Sequence, residues 1–578
     1  MKINLEKKTK DVQVFPVTNE IKVLRSRTWD RLKFEIEYGL QKGTTANSYL
    51  IEGDKIALLD PPGESFTDIF IDALKDRVDP RKIDYVILGH INPNRCKTIE
   101  ALLDIAPQIT FVCSNPAAIS LRKILVERSL KIEVIKGDEN IDLGKGHKLE
   151  FILASNPRYP DLVCTYDRKT EVLFTDKLFS AHICGDRVFD EGWQVDLEDR
   201  RYYFDCVIAP YARQVTSDLE KIAAKSAKIY ATGHGPLIKH SIQELTNSYR
   251  EWLKTQNTKD LSVALIYASA YGNTTAIGEA IARGITKSGV AVESINAESA
   301  DPEELKAIVE KSAGIIIGSP TLGGHAPTQI QAALGIALAS ANKNQLAGVF
   351  GSYGWSGEAI DLLESKFRDA GYKFGFETLR IKFKPTDVTL KTCEEAGTDF
   401  AQALKKSKKT RQAKESTVYS GANRSEQALG RIVGSMCVVT AKKGEISGAM
   451  LASWVSQATF NPPGLTVAVA KDRAIESLMH SGDTFVLNIL QEGNHIPLMK
   501  HFLKPFAPGE DRFVDVATEE ASNGSPILND ALAYVECQVD NRMECGDHWL
   551  VYAIAQQGKL LQSEGLTSLH HRKSGTHY

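Results

Sequence analysis

The sequence predicts an α/β chain of several domains, an expectation that rests on three observations. The chain has 578 residues, which at about 100 to 200 residues per domain corresponds to roughly three to five domains, each large enough to bury its own core. Between residues 261 and 354 apolar runs alternate strictly with helical stretches, as when parallel strands buried on both faces are separated by crossover helices. At 405–424 a basic stretch poor in large apolar residues interrupts this pattern, and β-rich runs at short spacing follow it.

Residues 33–60 hold strand-like runs (FEIEYGL, SYLIEG, KIALLD), DYVILGH follows at 84–90, and the alternation with helical stretches continues to KIYATGHGP at 228–236. The helical HSIQELTNSYREWLKTQ closes this sheet-rich first domain near residue 256. From 257 to 404 LSVALIYAS, AVESINA, GIIIGSP and LAGVFGSYG alternate with helical stretches, the order of a doubly wound parallel sheet. KKSKKTRQAKESTVYSGANR at 405–424 carries six basic residues in its first ten and reads either as an exposed linker or as a solvated basic helix end. From 425 to 578 GRIVGSMCVVTAKKGEISGAM, GLTVAVAK, DTFVLNIL and VYAIAQQGKLLQ suggest a small β-barrel.

Composition narrows the function classes. With 43% hydrophobic and 25% charged residues the chain is neither fibrous nor wholly disordered. Its 70 basic and 73 acidic side chains leave a net charge of -3, so global electrostatics offer no reason to expect nucleic acid. The N-terminus MKINLEKKTKDVQVF lacks a signal-peptide core, and no run approaches the roughly 18 apolar residues of a membrane span. A cytoplasmic protein without a membrane span is expected. The nine cysteines are scattered with no CxxC pair, so reduced, structural thiols are expected and no thiolate metal cage.

Three loops of the middle domain carry chemistry. Ser269-Ala270-Tyr271-Gly272-Asn273-Thr274-Thr275 lies between a buried strand and a helix, where backbone N–H groups, hydroxyls and the helix N-terminus converge on one phosphate. The loop has no lysine of the Walker type, which disfavours a nucleoside triphosphate. Ser319-Pro320-Thr321-Leu322-Gly323-Gly324 and Gly351-Ser352-Tyr353-Gly354-Trp355-Ser356-Gly357 each follow a buried strand, so all three loops lie at the C-terminal edge of one sheet, where such folds bind ligands. Tyr353 and Trp355 can stack on a planar ring. The segment resembles flavodoxin, which implies FMN held by these three loops.

In the C-terminal domain Met450-Leu451-Ala452-Ser453-Trp454-Val455-Ser456-Gln457-Ala458-Thr459-Phe460-Asn461-Pro462-Pro463 resembles the flavin-binding strand and turn of flavin reductase split barrels. Asn488 in FVLN and His548 in Glu544-Cys545-Gly546-Asp547-His548 fit the same pattern. The resemblance implies a second flavin, FMN or FAD, near Ser453, Trp454, Ser456, Gln457, Asn488 and His548, with NAD(P)H as donor. The Cys545 to His548 spacing does not make a metal site, because no second cluster completes a tetrahedron.

The whole order resembles the flavodiiron proteins in their three-domain diflavin form: a metallo-β-lactamase-like αββα sandwich, a flavodoxin-like doubly wound sheet and a flavin-reductase-like split barrel. In that family the first domain binds two irons through H-x-E-x-D-H, then a His, an Asp and a final His, and reduces oxygen to water. Here the motif is Gly89-His90-Ile91-Asn92-Pro93-Asn94-Arg95. His90 matches, while Asn92 stands for the Glu, Asn94 for the Asp and Arg95 for the second His. The family's 62 intervening residues lead from Arg95 to Arg158, and 18 further intervening residues to Lys177, the place of the bridging Asp. His234 in Thr232-Gly233-His234-Gly235-Pro236 matches the last ligand.

Five of the seven positions differ. Three carboxylates give the family's set -3, whereas Arg95, Arg158 and Lys177 with neutral histidines give +3, and guanidinium has no lone pair for a metal. Iron is therefore expected to be absent. Asp161 and Asp176 lie beside substituted positions, but the matched spacings argue against a register slip that would return them as ligands. Two readings of the pocket stay open: ion pairs to neighbouring acids fill it, or it holds an inorganic anion such as chloride or phosphate, or a water network.

The resemblance implies an electron-transfer oxidoreductase, in which NAD(P)H or ferredoxin reduces flavin, electrons pass to FMN, and oxygen is reduced to water as a photoprotective electron sink. A chain with flavins but no iron would feed a homologous partner with intact ligands in a head-to-tail hetero-oligomer. The alternatives are a regulatory or structural subunit with an anion-binding basic pocket, and a stand-alone NAD(P)H:flavin reductase.

Overall fold

The structure, a computed structural model, describes residues 10–29, 42–137, 139–415 and 424–572. The strand-like run at 34–40 and residues 416–423 of the basic stretch lie outside the described residues. The chain divides into two compact units, one built mainly from residues up to 259 and one mainly from residue 260 onward.

The first unit is the expected αββα sandwich. One sheet has seven strands in the order Lys10–Pro16, Ile21–Thr28, Thr44–Glu52, Ile56–Leu59, Ile83–Ile87, Thr110–Ser114, Lys131–Ile135. The other has five, in the order Ile229–Thr232, Val172–Asp176, Val163–Asp167, His147–Leu153, Asn140–Gly144. Successive side chains leave a strand on opposite faces, so neighbouring residues serve different cores. Tyr49, Ile51, Ala57 and Leu59 face Phe151, Val163, Val172 and Phe174 of the second sheet. Leu50 and Leu58 face Phe70, Leu74, Ile99 and Leu102 of the covering helices. The strands Ile56–Leu59 and Ile83–Ile87 run parallel, as do Val172–Asp176 and Ile229–Thr232. Their C-terminal ends carry Asp60, His90, Asp176 and His234.

The second unit holds a parallel sheet in which Gly314–Pro320 lies between Ser262–Tyr267 and Leu346–Tyr353. Leu379–Lys382 and Lys373–Phe374 pair with the far side of Leu346–Tyr353. Helices Asn273–Lys287 and Asp387–Glu415 pack so closely that glycine is required at both sides of the crossing. A Cβ on Gly284 would stand 1.9 Å from the Glu394 carbonyl oxygen, and one on Gly397 2.1 Å from that of Ile281. The remaining residues form an antiparallel seven-stranded sheet, Ile446–Ala452, Cys437–Lys443, Thr484–Ile489, Ala533–Cys545, His548–Leu560, Pro463–Ala470, Val455–Phe460. Its core gathers Val439, Val467, Val469, Phe485, Val539 and Val551.

Of the two readings of the basic stretch at 405–424, the helix end and not the linker describes its first part. The helix Asp387–Glu415 continues through it, because KKSKKTRQAKE contains neither Gly nor Pro and is rich in good helix formers, and cations at a helix C-terminus interact favourably with the macrodipole.

All nine cysteines are free thiols, eight of them at least partly buried and Cys545 exposed. Burial pushes the Cys113, Cys393, Cys437 and Cys537 thiols up to about 12, so they pack as apolar groups rather than as nucleophiles. Among the described residues no helix is long and apolar enough to cross a membrane.

Candidate functional site

Of the seven positions that the resemblance makes ligands, His90, Arg95, Lys177 and His234 come together, with acids the spacing had left out. Arg95 donates through Nη1 to Asp60 Oδ1 at 2.8 Å and to the His90 carbonyl at 2.7 Å, and through Nη2 to Asp176 Oδ1 at 3.3 Å. Lys177 Nζ lies 3.3 Å from the same Asp176 oxygen. His90 Nδ1 meets Asp161 Oδ1 at 2.7 Å, and the Ile91 N–H donates to Asp161 Oδ2 at 2.8 Å. His234 Nδ1 lies 2.6 Å from the Thr45 carbonyl oxygen, which can only accept. That nitrogen therefore carries a proton, and Nε2 faces Lys177 Nζ at 3.4 Å. Arg158 lies against Tyr159, with Nε donating to the phenol oxygen at 2.9 Å.

The two asparagines are accounted for locally. Asn92 is the N-cap of helix Pro93–Ile105, its side-chain oxygen accepting from the Arg95 N–H at 3.1 Å. Asn94 fills the space beside Gly63, where an added Cβ would come within 2.7 Å of its amide nitrogen.

The local charge is thereby corrected. Arg95 and Lys177 are matched by Asp60 and Asp176, while Asp161 pairs with His90 and Arg158 lies on Tyr159. Asp176 reaches the centre because its backbone is left-handed, φ 43°. Burial opposes its ionisation, but Lys177 and Arg95 outweigh burial and hold its carboxyl below the ordinary range. Burial, reinforced by Asp176, raises Asp60 to about 6. Asp60, which sequence alone did not single out, had one visible signal: it ends the apolar strand KIALLD.

Iron is the group the family resemblance attaches to these positions, and the residues present do not fit it. Among the described residues no group of three or more His, Cys, Asp or Glu is arranged to hold a metal ion, and Asp176, His90 and His234 are already engaged as above. The space left, about 10 Å³ between Asn47, Asp60, Asn94, Arg95 and His234, is about that of one water.

The three loops of the second unit do meet at one sheet edge. Thr274 Oγ1 and Ser352 Oγ are 2.9 Å apart, joining the first loop to the third. The Thr321 N–H donates to the Ser352 carbonyl at 3.0 Å, joining the second to the third. Ser269 Oγ accepts from the Thr275 N–H at 3.3 Å, at the start of helix Asn273–Lys287. Gly272 and Gly323 have φ of 81° and 58° and open space where a Cβ would stand. Around this edge Tyr271 is 86% exposed and Trp355 93% exposed. Ser319 is buried, its hydroxyl donating to the Pro320 carbonyl at 2.8 Å, and Leu322 is 42% exposed. Phe383, which follows Leu379–Lys382, meets Trp355 edge-to-face at 6.4 Å; sequence reasoning passed over it.

These residues fit FMN. Among the described residues the Thr321 hydroxyl oxygen is buried without a hydrogen-bond partner, a costly state that a bound polar ligand relieves. The exposed aromatics supply stacking faces, and the glycines leave the backbone approachable. Replacing Thr321 by Val is expected to leave the flavin-free protein as stable as before, or slightly more so, while weakening FMN several-fold. Trp355→Ala should weaken FMN up to about tenfold. Fluorescence titration of FMN with both variants checks the pair.

In the barrel the structure brings some candidates together and removes one. Ser453 is buried and hydrogen-bonds His570 Nδ1 at 2.9 Å. Trp454 lies 5.1 Å from His548, whose Nδ1 meets Asp547 at 2.8 Å, and the Arg572 guanidinium sits 4.9 Å over Trp454. Ser456 and Gln457 are exposed on the edge strand Val455–Phe460. Asn488 is corrected: it is wholly buried, its amide nitrogen bonded to Val438 and Thr440 and its oxygen to the Leu528 N–H at 2.8 Å. It clamps strands and is not available to a flavin. His570 and Arg572 were not anticipated and had no local motif to mark them.

Family models match three consecutive stretches: an ODP family beta lactamase over residues 44–235, a flavodoxin over 265–397 and a flavin reductase like domain over 429–576. Diflavin flavoprotein A 6 of Nostoc sp. strain PCC 7120 is 66% identical over 571 residues, 99% of each chain. Diflavin flavoprotein A 3 of Synechocystis sp. strain PCC 6803 is 65% identical over 571 residues, 98% of this chain and 96% of its own. Among solved structures, the metal-soaked Flv1 flavodiiron core from Synechocystis sp. PCC6803 is 64% identical with a TM-score of 0.68, covering 69% of this chain and 99% of that one. The flavodoxin and flavin reductase domains imply flavin binding. The chain belongs to the diflavin flavoprotein A family, the flavodiiron-type flavoproteins found in these cyanobacteria.

Proposed function

We propose that this chain is the flavin-bearing, iron-free member of an oxygen-reducing electron-transfer assembly. NAD(P)H or ferredoxin delivers electrons to flavin in the barrel, they pass to FMN at the three loops, and they leave to a homologous subunit that keeps its iron ligands. The head-to-tail pairing with that subunit places the loops beside its metal site. The observation that carries the reading is the cluster of Arg95, Lys177, Asp60 and Asp176, closed by ion pairs of 2.8 to 3.3 Å where the family's irons would bind. Bound flavin converts two-electron hydride chemistry into single-electron steps. The chain's own residues cradle the phosphate at Ser269 to Thr274, offer the Thr321 hydroxyl, and present Tyr353 and Trp355 to the ring.

Iron and flavin are to be assayed on one purified sample after iron-replete expression. Flavin near two per chain with iron far below one supports the reading, and stoichiometric iron overturns it. Oxygen consumption by the homologous subunit should rise when this chain is added with NAD(P)H. No rise sinks the hetero-oligomer. Peroxide as the product of this chain alone would favour the stand-alone reductase instead.

A further inference from the structure

Within the second unit a cavity of about 340 Å³ opens between one face of helix Asp387–Glu415 and the antiparallel barrel. The helix contributes Glu395, Thr398, Asp399 and Gln402, spaced three and four residues apart and so on one face. This volume falls at the lower end of the range for small-molecule sites. The three FMN loops do not line it, and of the residues expected around the barrel flavin only Ser453 does.

Its lining is sorted by chemistry. Met436, Met450 and Phe502 are buried and, with Met499 and Phe506, make an apolar wall; thioethers adapt to the faces of planar rings. Asp399 sits half-buried among them and makes no hydrogen bond or ion pair with any described residue, although Glu395 beside it is paired with Arg512 at 3.1 Å. Burial, with the charge of Glu395, raises the Asp399 carboxyl to about 6. Arg473 and Lys504 are exposed lining residues. Among the described residues neither faces an acid within ion-pair distance, and Lys504 rests on the Phe506 ring at 4.7 Å.

A ligand that satisfies all three zones has a flat ring, an N–H donor on that ring for Asp399, and an anionic group for Arg473 and Lys504. We propose that this cavity binds the adenosine phosphate end of a dinucleotide: the ring against Met436, Met450 and Phe502, its amino group donating to Asp399, and the phosphate at Arg473 and Lys504. The assignment rests on the nicotinamide dinucleotide donor read above. It gives that donor an anchor at the junction of its two flavin-binding modules.

The test titrates ADP-ribose, a redox-inert probe, calorimetrically into the flavin-loaded full-length chain. One site per chain is expected. Asp399→Ala should weaken it about tenfold, and Met450→Trp, which narrows the cavity, at least as much. Arg473→Ala, at an exposed position that leaves the fold intact, should weaken it several-fold and flatten its salt dependence. Binding that none of the three variants weakens overturns the proposal, as does FMN binding more tightly than ADP-ribose at a site that Asp399→Ala abolishes. If ADP-ribose does not bind while NAD(P)H still bleaches the flavin, the cavity assignment fails and the donor reading stands. If ADP-ribose binds as expected but NAD(P)H bleaches nothing, the donor reading fails and the nucleotide site stands.

Discussion

Glu476→Gln should destabilise the second unit by about 3 to 5 kcal/mol, the usual consequence of removing one member of a buried ion network. Glu476 is 1% exposed and accepts from Arg542 Nη1 at 3.1 Å, with Lys287 Nζ at 3.6 Å and Arg283 Nη2 at 3.7 Å. A second buried acid, Glu394, takes Lys287 Nζ at 2.5 Å and lies 3.6 Å from Lys391. Four cations thus share two carboxylates where helices Asn273–Lys287 and Asp387–Glu415 meet the barrel. The amide of glutamine keeps the shape but not the charge, so Arg542, Arg283 and Lys287 each lose an anionic neighbour, with Lys287 keeping Glu394. Urea unfolding followed by flavin release measures the loss. Glu520→Gln, which breaks the exposed Lys442 pair, should change stability by no more than about 1 kcal/mol. A Glu476→Gln effect equally small would mean that water reaches the junction.

The same network sets an acid limit. Burial disfavours both charges, but the surrounding cations outweigh it, holding Glu394 at about 2 and Glu476 below the carboxylate range. Folded values lie below the unfolded value near 4.5, so this contribution is complete above about pH 4.5 and is lost as pH falls below it. The Gln variant should show a flatter acid limb than the parent.

Asp176→Asn should cost a further 3 to 5 kcal/mol in the first unit, because it strips Arg95 and Lys177 of the carboxylate they share. The double change Asp176→Asn with Lys177→Met should recover much of that loss, since charge and countercharge leave together. Removing Asp176 also removes the like charge that raises Asp60, so the Asp60 carboxyl should fall toward its ordinary value. Thermal unfolding of the single and double variants measures the coupling. Equal stability of the two would mean that Lys177 does not depend on Asp176.

Local features were legible because they depend on neighbours in the chain. The middle domain's strands and loops follow from period and turn chemistry within a few residues, and so does the N-cap role available to Asn92. The partners of the inherited positions were not legible in the same way. Arg95 meets Asp60 across 35 positions and Asp176 across 81, and His90 meets Asp161 across 71. Spacing matched to a family names the position of a side chain but not the acid that will face it. Asn488 shows the reverse: it fitted a flavin pattern, yet Thr440 and Leu528 take its hydrogen bonds first.

Residue order alone carries the succession of three domains, the loops of the middle one, and the amide, guanidinium and ammonium groups at five positions that the family resemblance makes ligands. Folding alone settles that Arg95 and Lys177 meet Asp60 and Asp176, that the space beside them is about that of one water, and that four buried cations join the helices to the barrel. Residue type and short-range period are properties of the chain. Charge compensation and cavity volume belong to groups that only folding brings within a few ångströms.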